Sequence, residues 1–237
     1  FIPSDDEHVL LAADYSQIEL RIIASLSQEH TMIKAFQEGK DIHATTASQV
    51  FDVALEEVSR EQRSNAKTIN FGIIYGVSAY GLSQQTSLTR QESKELITTY
   101  YATYPKLSQY IEDQVAFARE NGYVKTILDR RRYLKDINAG NNVVRSAAER
   151  NAVNAPVQGS AADVIKIAMI AVQQELEKQN FKSKLLLQIH DELIFDVPKV
   201  EVKALRQMVH DKMSQAYQLD VPLEVDIGMG RNWLEAH

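Results

Sequence analysis

The segment LLQIHDELIFDVP, Leu186–Pro198, constrains the fold more than any other stretch of the chain. Two apolar runs flank a short acidic junction, a pattern typical of a buried β-hairpin. One interpretation is that Asp191 is a turn residue and Glu192 is solvated, because Asp side chains readily accept hydrogen bonds from turn backbone. The other is that the strands hold a carboxylate at the rim of a sheet, where it binds a metal ion. A partner carboxylate elsewhere in the chain would decide between these interpretations.

Strand patterns occur at both ends of the chain. His8–Ala13 predicts a short buried strand, Leu185–Val197 predicts a hairpin, and Leu223–Ile227 predicts a last strand. Since these segments enclose a long helical region, the two ends are expected to share one sheet. The predicted fold class is therefore α+β, with a mainly antiparallel sheet formed by both ends of the chain.

The region between the strands is predicted to be mostly helical, from about residue 31 to residue 153. The patterns Ser59–Gln62 and Thr89–Glu92 each fit a capping box, which marks a helix start. Only Tyr123–Leu134 breaks the helical pattern, as a hairpin around Asp129. The further helices expected are Ser16–Leu26, Val143–Gln179 with a break near Pro156 and Gly159, and one that ends near Tyr217.

Composition limits the classes of protein to consider. The chain has 44% apolar and 24% charged residues, as a soluble globular protein does, and its lack of cysteine excludes disulfides and thiolate metal sites. No signal pattern and no unbroken apolar run of membrane-spanning length are present, which predicts a cytoplasmic protein without a membrane partner. The net charge of −6 argues mildly against a nucleic-acid partner, although the cluster Arg130–Arg132 is locally basic.

Asp14 is the candidate partner carboxylate for Asp191. It ends the apolar run VLLAAD, as Asp191 follows LLLQI, and strands of one sheet are close enough for two such side chains to meet. Two converging carboxylates repel unless cations neutralise them, and a hard divalent ion such as Mg²⁺ prefers their oxygen atoms. The alternative is that Asp14 only caps the following helix.

A stripe of cations and aromatic rings is expected on one helix. Arg63, Lys67, Phe71 and Tyr75 recur every four residues and so lie on one face. Cations that bind phosphates beside rings that stack on a base and sugar would suit a nucleoside triphosphate. The alternative is an ordinary helix with a solvated basic face and core-packed aromatics.

Three motifs together resemble those of a known family. DYSQIELR (residues 14–21), RSNAKTINFGIIYG (63–76) and IHDE (189–192) are similar to motifs A, B and C of the family A DNA polymerases. The segments DIHATTA, NAPVQGSAAD and GMGRNWLEAH also fit, so the resemblance covers essentially the whole chain. One departure is Asp129, which stands where the family usually has Gly.

The resemblance implies a division into subdomains. It predicts a palm from residues 1–29 and 146–237 and helical fingers from residues 30–145. The thumb and exonuclease domains of the full-length enzyme are expected to be absent from this chain. The isolated chain is therefore expected to hold primer-template DNA poorly and to be weakly active or inactive.

The resemblance also implies a metal site. Asp14 and Asp191 would bind two Mg²⁺ ions, with the carbonyl oxygen of Tyr15 as a further ligand. The role of Glu192 stays open, because neighbouring residues on a strand point in different directions.

The nucleotide and DNA sites implied by the resemblance follow the same motifs. Lys67 is expected to take part in catalysis, and Glu19 to exclude a ribose 2′-hydroxyl by a clash. The implied nucleotide-binding residues are Arg63, Lys67, His43 and Gln17 at the triphosphate, Phe71 and Tyr75 in the pocket, and Glu19 at the sugar. The implied DNA-binding residues, which would contact the minor groove without selecting a sequence, are Arg150, Asn154, Gln158 and His190.

The predicted function is template-directed DNA polymerisation. Deoxynucleotides from dNTP would be transferred to a primer 3′-hydroxyl with release of pyrophosphate, in the cytoplasm at the nucleoid. Two alternatives stay open: a two-metal phosphodiesterase or nuclease, and a non-catalytic DNA-binding fragment. A nuclease would need neither a triphosphate-binding helix nor a sugar-excluding residue.

Overall fold

A computed structural model describes every residue from Phe1 to His237. The strands are β1 (His8–Tyr15), β2 (Tyr123–Lys125), β3 (Arg131–Tyr133), β4 (Lys184–Ile189), β5 (Glu192–Pro198) and β6 (Val225–Gly230). The α-helices are α1 (Ile18–Ser27), α2 (His30–Gln37), α3 (Ile42–Val50), α4 (Arg60–Ile74), α5 (Ala79–Ser83), α6 (Arg90–Thr103), α7 (Pro105–Asn121), α8 (Asn142–Lys178), α9 (Val202–Ser214) and α10 (Trp233–Ala236). A short 3₁₀-helix spans Leu55–Glu57.

The chain divides into two compact units. The first unit comprises residues 1–18 and 161–237, and the second comprises residues 19–160. The division falls inside α1 and α8, whereas the sequence predicts subdomain boundaries after residues 29 and 145. The assignment of these residues to a palm and a fingers subdomain therefore stays a prediction.

A four-stranded antiparallel sheet forms the centre of the first unit, in the order β4-β5-β1-β6. Because β1 comes from the start of the chain and the other three strands from its end, the prediction of a shared sheet and of an α+β fold is confirmed. Asp14 of β1 lies directly opposite Glu192 of β5 and Asp226 of β6. Directly opposed residues of antiparallel strands share one face, so these three residues form a carboxylate row across the sheet.

The interior strand β5 is covered on both faces, because every one of its residues is buried. On one face, α10 packs against a cluster of Leu10, Ala12 and Ile194 through Ala236. Gly228 of β6 makes this close approach possible, since a Cβ atom there would overlap the carbonyl group of Ala236. The small helix is thereby held against the strands that carry the carboxylate row.

The junction between β1 and α1 lies two residues later in the chain than the sequence predicts. The strand continues to Tyr15 and the helix begins at Ile18, with Gln17 between them at a φ of 54°. Tyr15 is buried, and its hydroxyl donates to the carbonyl oxygen of Met213 at 2.7 Å. This hydrogen bond fixes the end of β1.

The second unit is helical except for one hairpin, as predicted. Both capping boxes are present: Ser59 and Gln62 exchange hydrogen bonds at the start of α4, and Thr89 and Glu92 do so at the start of α6. These local pairs satisfy backbone N–H groups that have no partner inside the helix.

The predicted hairpin is confirmed as β2 and β3, which pair antiparallel. Asp129 in its loop has a φ of 58°, a left-handed conformation that Gly adopts without strain and that Asp tolerates better than most residues. Its carboxylate lies 3.0 Å from the Nζ atom of Lys125, which stabilises the loop only weakly because both groups are exposed.

The predicted break near Pro156 and Gly159 is wrong, because α8 continues through both residues. Pro156 removes one backbone donor, but Ala152, Ala155 and Val157 around it are buried, so packing holds the helix in place. Gly159 instead provides space: a Cβ atom there would lie 2.5 Å from a methyl carbon of Thr126.

Helix α8 is long and apolar enough to cross a membrane by length and composition alone. In this fold 44% of the most apolar 18-residue window is buried within the protein. Val164, Ile165, Ala168 and Val172 are fully or almost fully buried, as in the core helix of a globular protein.

Candidate active site

The ends of β1 and of the β4–β5 hairpin bring the two predicted metal ligands together. The backbone N–H of Tyr15 donates to the carbonyl oxygen of Asp191 at 3.3 Å. Asp14, Tyr15 and Asp191 therefore occupy neighbouring positions at one rim of the sheet. The structure thus supplies the juxtaposition that the sequence pattern predicts.

The turn that carries Asp191 is tight. Ile189 and Glu192 are the last paired residues of β4 and β5, which leaves only His190 and Asp191 to connect them. His190 has a φ of 52°, a conformation that is uncommon for a residue with a side chain. Its carbonyl oxygen accepts a hydrogen bond from Nε2 of Gln188 at 2.7 Å. The turn is fixed by backbone pairing on both sides, and His190 is exposed at its tip.

Asp14 is the most perturbed carboxyl group of the site. Burial raises its pKa to about 6, and the negative charges of Asp191, Glu192 and Asp226 act in the same direction. Its Oδ1 atom is buried and accepts no hydrogen bond. A buried carboxylate oxygen without a partner is unfavourable, so this side chain is suited to a cation that the protein itself does not supply.

The oxygen donors at this rim fit a hard divalent cation. Asp14, Asp191 and the Tyr15 carbonyl group offer the ligand type that Mg²⁺ prefers, and the unpartnered Oδ1 atom of Asp14 is available to it. No three His, Asp or Glu side chains are arranged to hold a metal ion by themselves. The fit is therefore to an ion that also takes ligands from water or phosphate, as Mg²⁺ commonly does.

Glu192 is held by partners near the end of the chain. It is buried, its Oε2 atom accepts a hydrogen bond from Nε1 of Trp233 at 3.1 Å, and its Oε1 atom lies 3.2 Å from Nδ1 of His237. Both of its oxygens are thus engaged, in contrast to Oδ1 of Asp14. These contacts could not be predicted from a local pattern, because they join residues 41 and 45 positions apart.

Asp226 is a site residue that the sequence interpretation missed. It lies opposite Asp14 in the β1–β6 register, and its charge contributes to the raised pKa of Asp14. The acid in the segment VDIGMG was the available signal, but the predicted strand ended at Ile227 and its register to β1 was unknown.

In the second unit, the predicted stripe lies along α4 and its C-cap residue Tyr75. Lys67, Phe71 and Tyr75 line a cleft of about 660 Å³, and Arg150 of α8 lines it as well. Gly76, with a φ of 67°, allows the approach of Arg150, because a Cβ atom there would lie 2.6 Å from its side chain. The cleft therefore combines cations with aromatic rings, as the triphosphate interpretation requires.

Arg63 is oriented by a carboxylate that also caps a helix. Its Nε atom donates to Oδ2 of Asp41 at 2.7 Å, while Oδ1 of Asp41 accepts from the backbone N–H groups of His43 and Ala44. Although burial opposes it, these hydrogen bonds and the Arg63 charge lower the pKa of Asp41. Asp41 thereby links the start of α3 to the first cation of the stripe on α4.

His43 lies beside this ion pair and close to the stripe. It is 3% exposed, and its ring centroid is 5.8 Å from that of Phe71. Burial lowers its pKa to about 4, against the opposing charge of Asp41 and with a smaller contribution from Arg63 and Lys67. The imidazole is therefore neutral at physiological pH.

Glu19 and Tyr75 are in direct contact. The hydroxyl of Tyr75 donates to Oε2 of Glu19 at 2.6 Å. This charge-assisted bond fixes the carboxylate against the ring of a residue that lines the cleft.

The predicted DNA-binding residues of the second unit lie on successive turns of α8. Arg150 is exposed and lines the cleft, and Gln158 is exposed. The amide of Asn154, in the orientation that satisfies both of its ends, donates to the carbonyl groups of Arg150 and Ile74. Asn154 thus bridges α8 to the end of α4, whereas the predicted sites His190 and Gln17 belong to the first unit.

The chain is similar to known proteins over almost its whole length. A family model described as DNA polymerase family A matches residues 1–235. The chain belongs to DNA polymerase family A. Its sequence is 48% identical to the DNA polymerase I of Caldicellulosiruptor bescii over 235 residues, which are 99% of this chain and 28% of that protein. It is 47% identical to the DNA polymerase I of Bacillus subtilis over 236 residues, 100% of this chain and 27% of that protein.

A solved structure of the family is also closely similar. The POL domain of Pol1 from M. smegmatis, in complex with DNA primer-template and dNTP, matches with a TM-score of 0.95 and 46% sequence identity. The match covers 100% of this chain and 42% of that one. The resemblance of the sequence motifs to family A is thereby confirmed, and the chain spans just over a quarter of the length of the polymerase I relatives.

Proposed function

We propose that this chain carries the active site of a template-directed DNA polymerase, which transfers deoxynucleotides from dNTP to a primer 3′-hydroxyl and releases pyrophosphate. The observation that carries this proposal is the Asp14–Asp191 pair, held together by the Tyr15 N–H···O=C Asp191 hydrogen bond, with a buried oxygen of Asp14 unpartnered. Membership of family A supports it. The solved relative was bound to DNA primer-template and dNTP, and we infer the same partners here.

Asp14, Asp191 and the carbonyl group of Tyr15 would hold two Mg²⁺ ions. When bound, the metal supplies a lowered pKa for the attacking hydroxyl and charge neutralisation for the leaving pyrophosphate. The contribution of the chain is to keep the two residues adjacent: Asp14 lies on β1, and Asp191 lies in the turn that leads into the paired strand β5, where its carbonyl oxygen accepts the hydrogen bond from Tyr15.

The triphosphate would be bound by Lys67, Arg63, His43 and Gln17. Lys67 is exposed in the cleft, so its ammonium group is available to phosphate and offsets the charge that develops on pyrophosphate. Asp41 engages Arg63 through Nε, which leaves the terminal guanidinium nitrogens to donate to phosphate. His43, being neutral, would donate a hydrogen bond rather than a full charge.

The nucleoside would be recognised by Phe71, Tyr75 and Glu19. Phe71 and Tyr75 offer ring faces in the cleft, on which a base or sugar can pack. The hydrogen bond from Tyr75 fixes Glu19 in place, so that a 2′-hydroxyl would meet a carboxylate that cannot move aside. Deoxyribonucleotides would therefore be preferred.

The duplex would be contacted by Arg150, Asn154, Gln158 and His190. Minor-groove acceptors occupy similar positions in every Watson–Crick pair, so donors there can sense pair geometry without selecting a sequence. Exposure of Arg150, Gln158 and His190 supports this role. We place this activity in the cytoplasm, at the nucleoid.

Addition of one deoxynucleotide to a labelled primer tests the proposal. The purified chain is given primer-template at high concentration, Mg²⁺ and one dNTP, and both primer length and pyrophosphate are measured. We expect extension by one nucleotide with equimolar pyrophosphate in the wild type and in the control Asp6→Asn, an exposed aspartate outside the site. Asp14→Asn and Asp191→Asn should abolish it.

The same assay separates the alternatives. Shortening of the primer without pyrophosphate release would indicate a nuclease. Duplex binding without either product, at any Mg²⁺ concentration, would indicate a DNA-binding fragment and would contradict the proposed activity of this chain.

A further inference from the structure

A buried polar cluster lies between the helices of the second unit, behind the proposed triphosphate-binding residues. We call it the Asn70 cluster; its members are His43, Thr46, Asn70, Tyr100 and Tyr104. Asn70 is fully buried on α4, and its Oδ1 atom accepts hydrogen bonds from the hydroxyl of Tyr100 at 3.0 Å and from that of Thr46 at 3.2 Å. Its Nδ2 atom lies 3.1 Å from Nδ1 of His43.

The orientation of the Asn70 amide follows from the Tyr100 hydroxyl. Tyr100 is fully buried, and Asn70 is the acceptor of its O–H group. Rotating the amide by 180° would leave that buried O–H without an acceptor, which is costly. The amide therefore keeps its oxygen towards Tyr100 and its NH₂ group towards His43.

This orientation determines where the His43 proton lies. An amide NH₂ group can only donate, so Nδ1 of His43 must accept, and the proton of the neutral ring sits on Nε2. Nε2 forms no hydrogen bond within the protein. The charged groups that act on the ring are Asp41, Arg63 and Lys67, of which the two cations are proposed to bind the same triphosphate.

We propose that Asn70 is a positioning residue for nucleotide binding, which fixes His43 in the Nε2–H tautomer so that the ring presents a hydrogen-bond donor to the triphosphate. The inference rests on the proposed function of His43 and names a residue that does not itself touch the nucleotide. Thr46, Tyr100 and Tyr104 hold the amide in turn: the Thr46 and Tyr104 hydroxyls are 3.0 Å apart, and the rings of Tyr100 and Tyr104 pack edge to face at 4.9 Å.

The tautomer can be measured directly, without substrate, by long-range ¹H–¹⁵N NMR of the His43 ring, assigned with a His43→Gln variant. In the wild type at neutral pH we expect a protonated Nε2 and an unprotonated Nδ1. Asn70→Asp keeps the shape and the acceptor for Tyr100 but replaces the donor that faces His43 by an acceptor. It should therefore place a proton on Nδ1, whereas Asn65→Asp, at a buried asparagine of the same helix, should not.

An Nδ1–H ring in the wild type, or an unprotonated Nδ1 in folded Asn70→Asp, would overturn the proposal. Because a buried Asp can prevent folding, Tyr100→Phe provides a second variant, since it removes the O–H group that selects the amide orientation. We expect a mixture of tautomers in Tyr100→Phe, and a single unchanged Nε2–H form would equally contradict the assignment.

The kinetic test measures single-nucleotide addition in a double-mutant cycle that combines Asn70→Ala with His43→Gln. Asn70→Ala should raise the KM for dNTP roughly tenfold, the size of one lost hydrogen bond to a charged group, with a smaller effect on kcat. In the His43→Gln background the same change should have almost no further effect on KM, while a merely structural role predicts equal effects in both backgrounds. If the wild type adds no nucleotide but shows the Nε2–H ring, the proposed function fails and the tautomer assignment stands.

Discussion

Replacement of Asp14 by Asn should stabilise the metal-free chain at neutral and alkaline pH. The folded state raises the pKa of this carboxyl group from 3.8 to about 6, chiefly by burial. Well below pH 3.8 the group is protonated in both the folded and the unfolded chain, so it does not affect stability. As the pH rises from about 3.8 to about 6, the unfolded chain releases this proton while the folded chain keeps it, so stability is lost progressively, and above pH 6 the loss is complete. An amide at this position avoids that loss.

The size of the effect follows from the pKa difference. A change from 3.8 to about 6 corresponds to roughly 3 kcal/mol if it were carried over in full. Asp14 is only half-buried, so water screens part of this cost, and we expect about 1–2 kcal/mol. For a chain of this length, that corresponds to a rise in Tm of about 2–8 °C.

The assay is thermal unfolding in EDTA, followed by circular dichroism at pH 4.5, 6 and 8. Asp14→Asn should raise the Tm at pH 8 and have a clearly smaller effect at pH 4.5, whereas the exposed control Asp6→Asn should show no such dependence. Adding Mg²⁺ at pH 8 should raise the Tm of the wild type more than that of Asp14→Asn, because a ligand stabilises the state that binds it. A gain that is equal at all three pH values, or a loss at pH 8, would refute the electrostatic explanation.

Three further changes test other parts of the site. Asp191→Ala should reduce single-nucleotide addition to background while shifting the Tm by no more than a few degrees, because the residue lies in a turn outside the core; normal turnover would contradict its role as a metal ligand. Glu19→Ala should raise the kcat/KM for ribonucleotides relative to deoxyribonucleotides, and an unchanged ratio would show that Glu19 does not exclude the 2′-hydroxyl. Asp41→Ala should lower the free energy of unfolding, measured by urea titration, by about 1 kcal/mol, because the N-cap of α3 is lost. It should also raise the KM for dNTP, because Arg63 loses the partner that orients it. If neither quantity changed, Asp41 would have no role in the site.

Features with a local cause could be predicted from the sequence. The capping boxes at Ser59 and Thr89 are hydrogen bonds between residues three positions apart, so a four-residue segment is enough to identify each of them. The hairpin around Asp191 was equally clear, because strand alternation and a two-residue junction are also local signals. The same holds for the four-residue spacing that placed Lys67 and Phe71 on one face of α4.

Features that depend on packing could not be predicted in this way. Pro156 is a strong local signal for a helix break, but the buried residues around it belong to a tertiary core that the local pattern does not encode. Asp226 was missed because its place opposite Asp14 depends on strand register, which a segment alone does not specify. The contacts of Asn70 with His43 and Tyr100 join three helices, and nothing in the spacing of these residues indicates them.

The carboxylate row explains which acids of the rim are available to a cation. Glu192, Asp14 and Asp226 are directly opposed on three strands, so an unrelieved row would place like charges side by side. Trp233 and His237 engage the two oxygens of Glu192, which compensates its burial and orients it towards α10. Asp14 receives no such compensation at Oδ1, and Asp191 sits beside it in the turn. The same sheet therefore gives adjacent acids different roles: Glu192 joins α10 to β5, and the Asp14–Asp191 pair keeps its charge for a ligand from outside the chain.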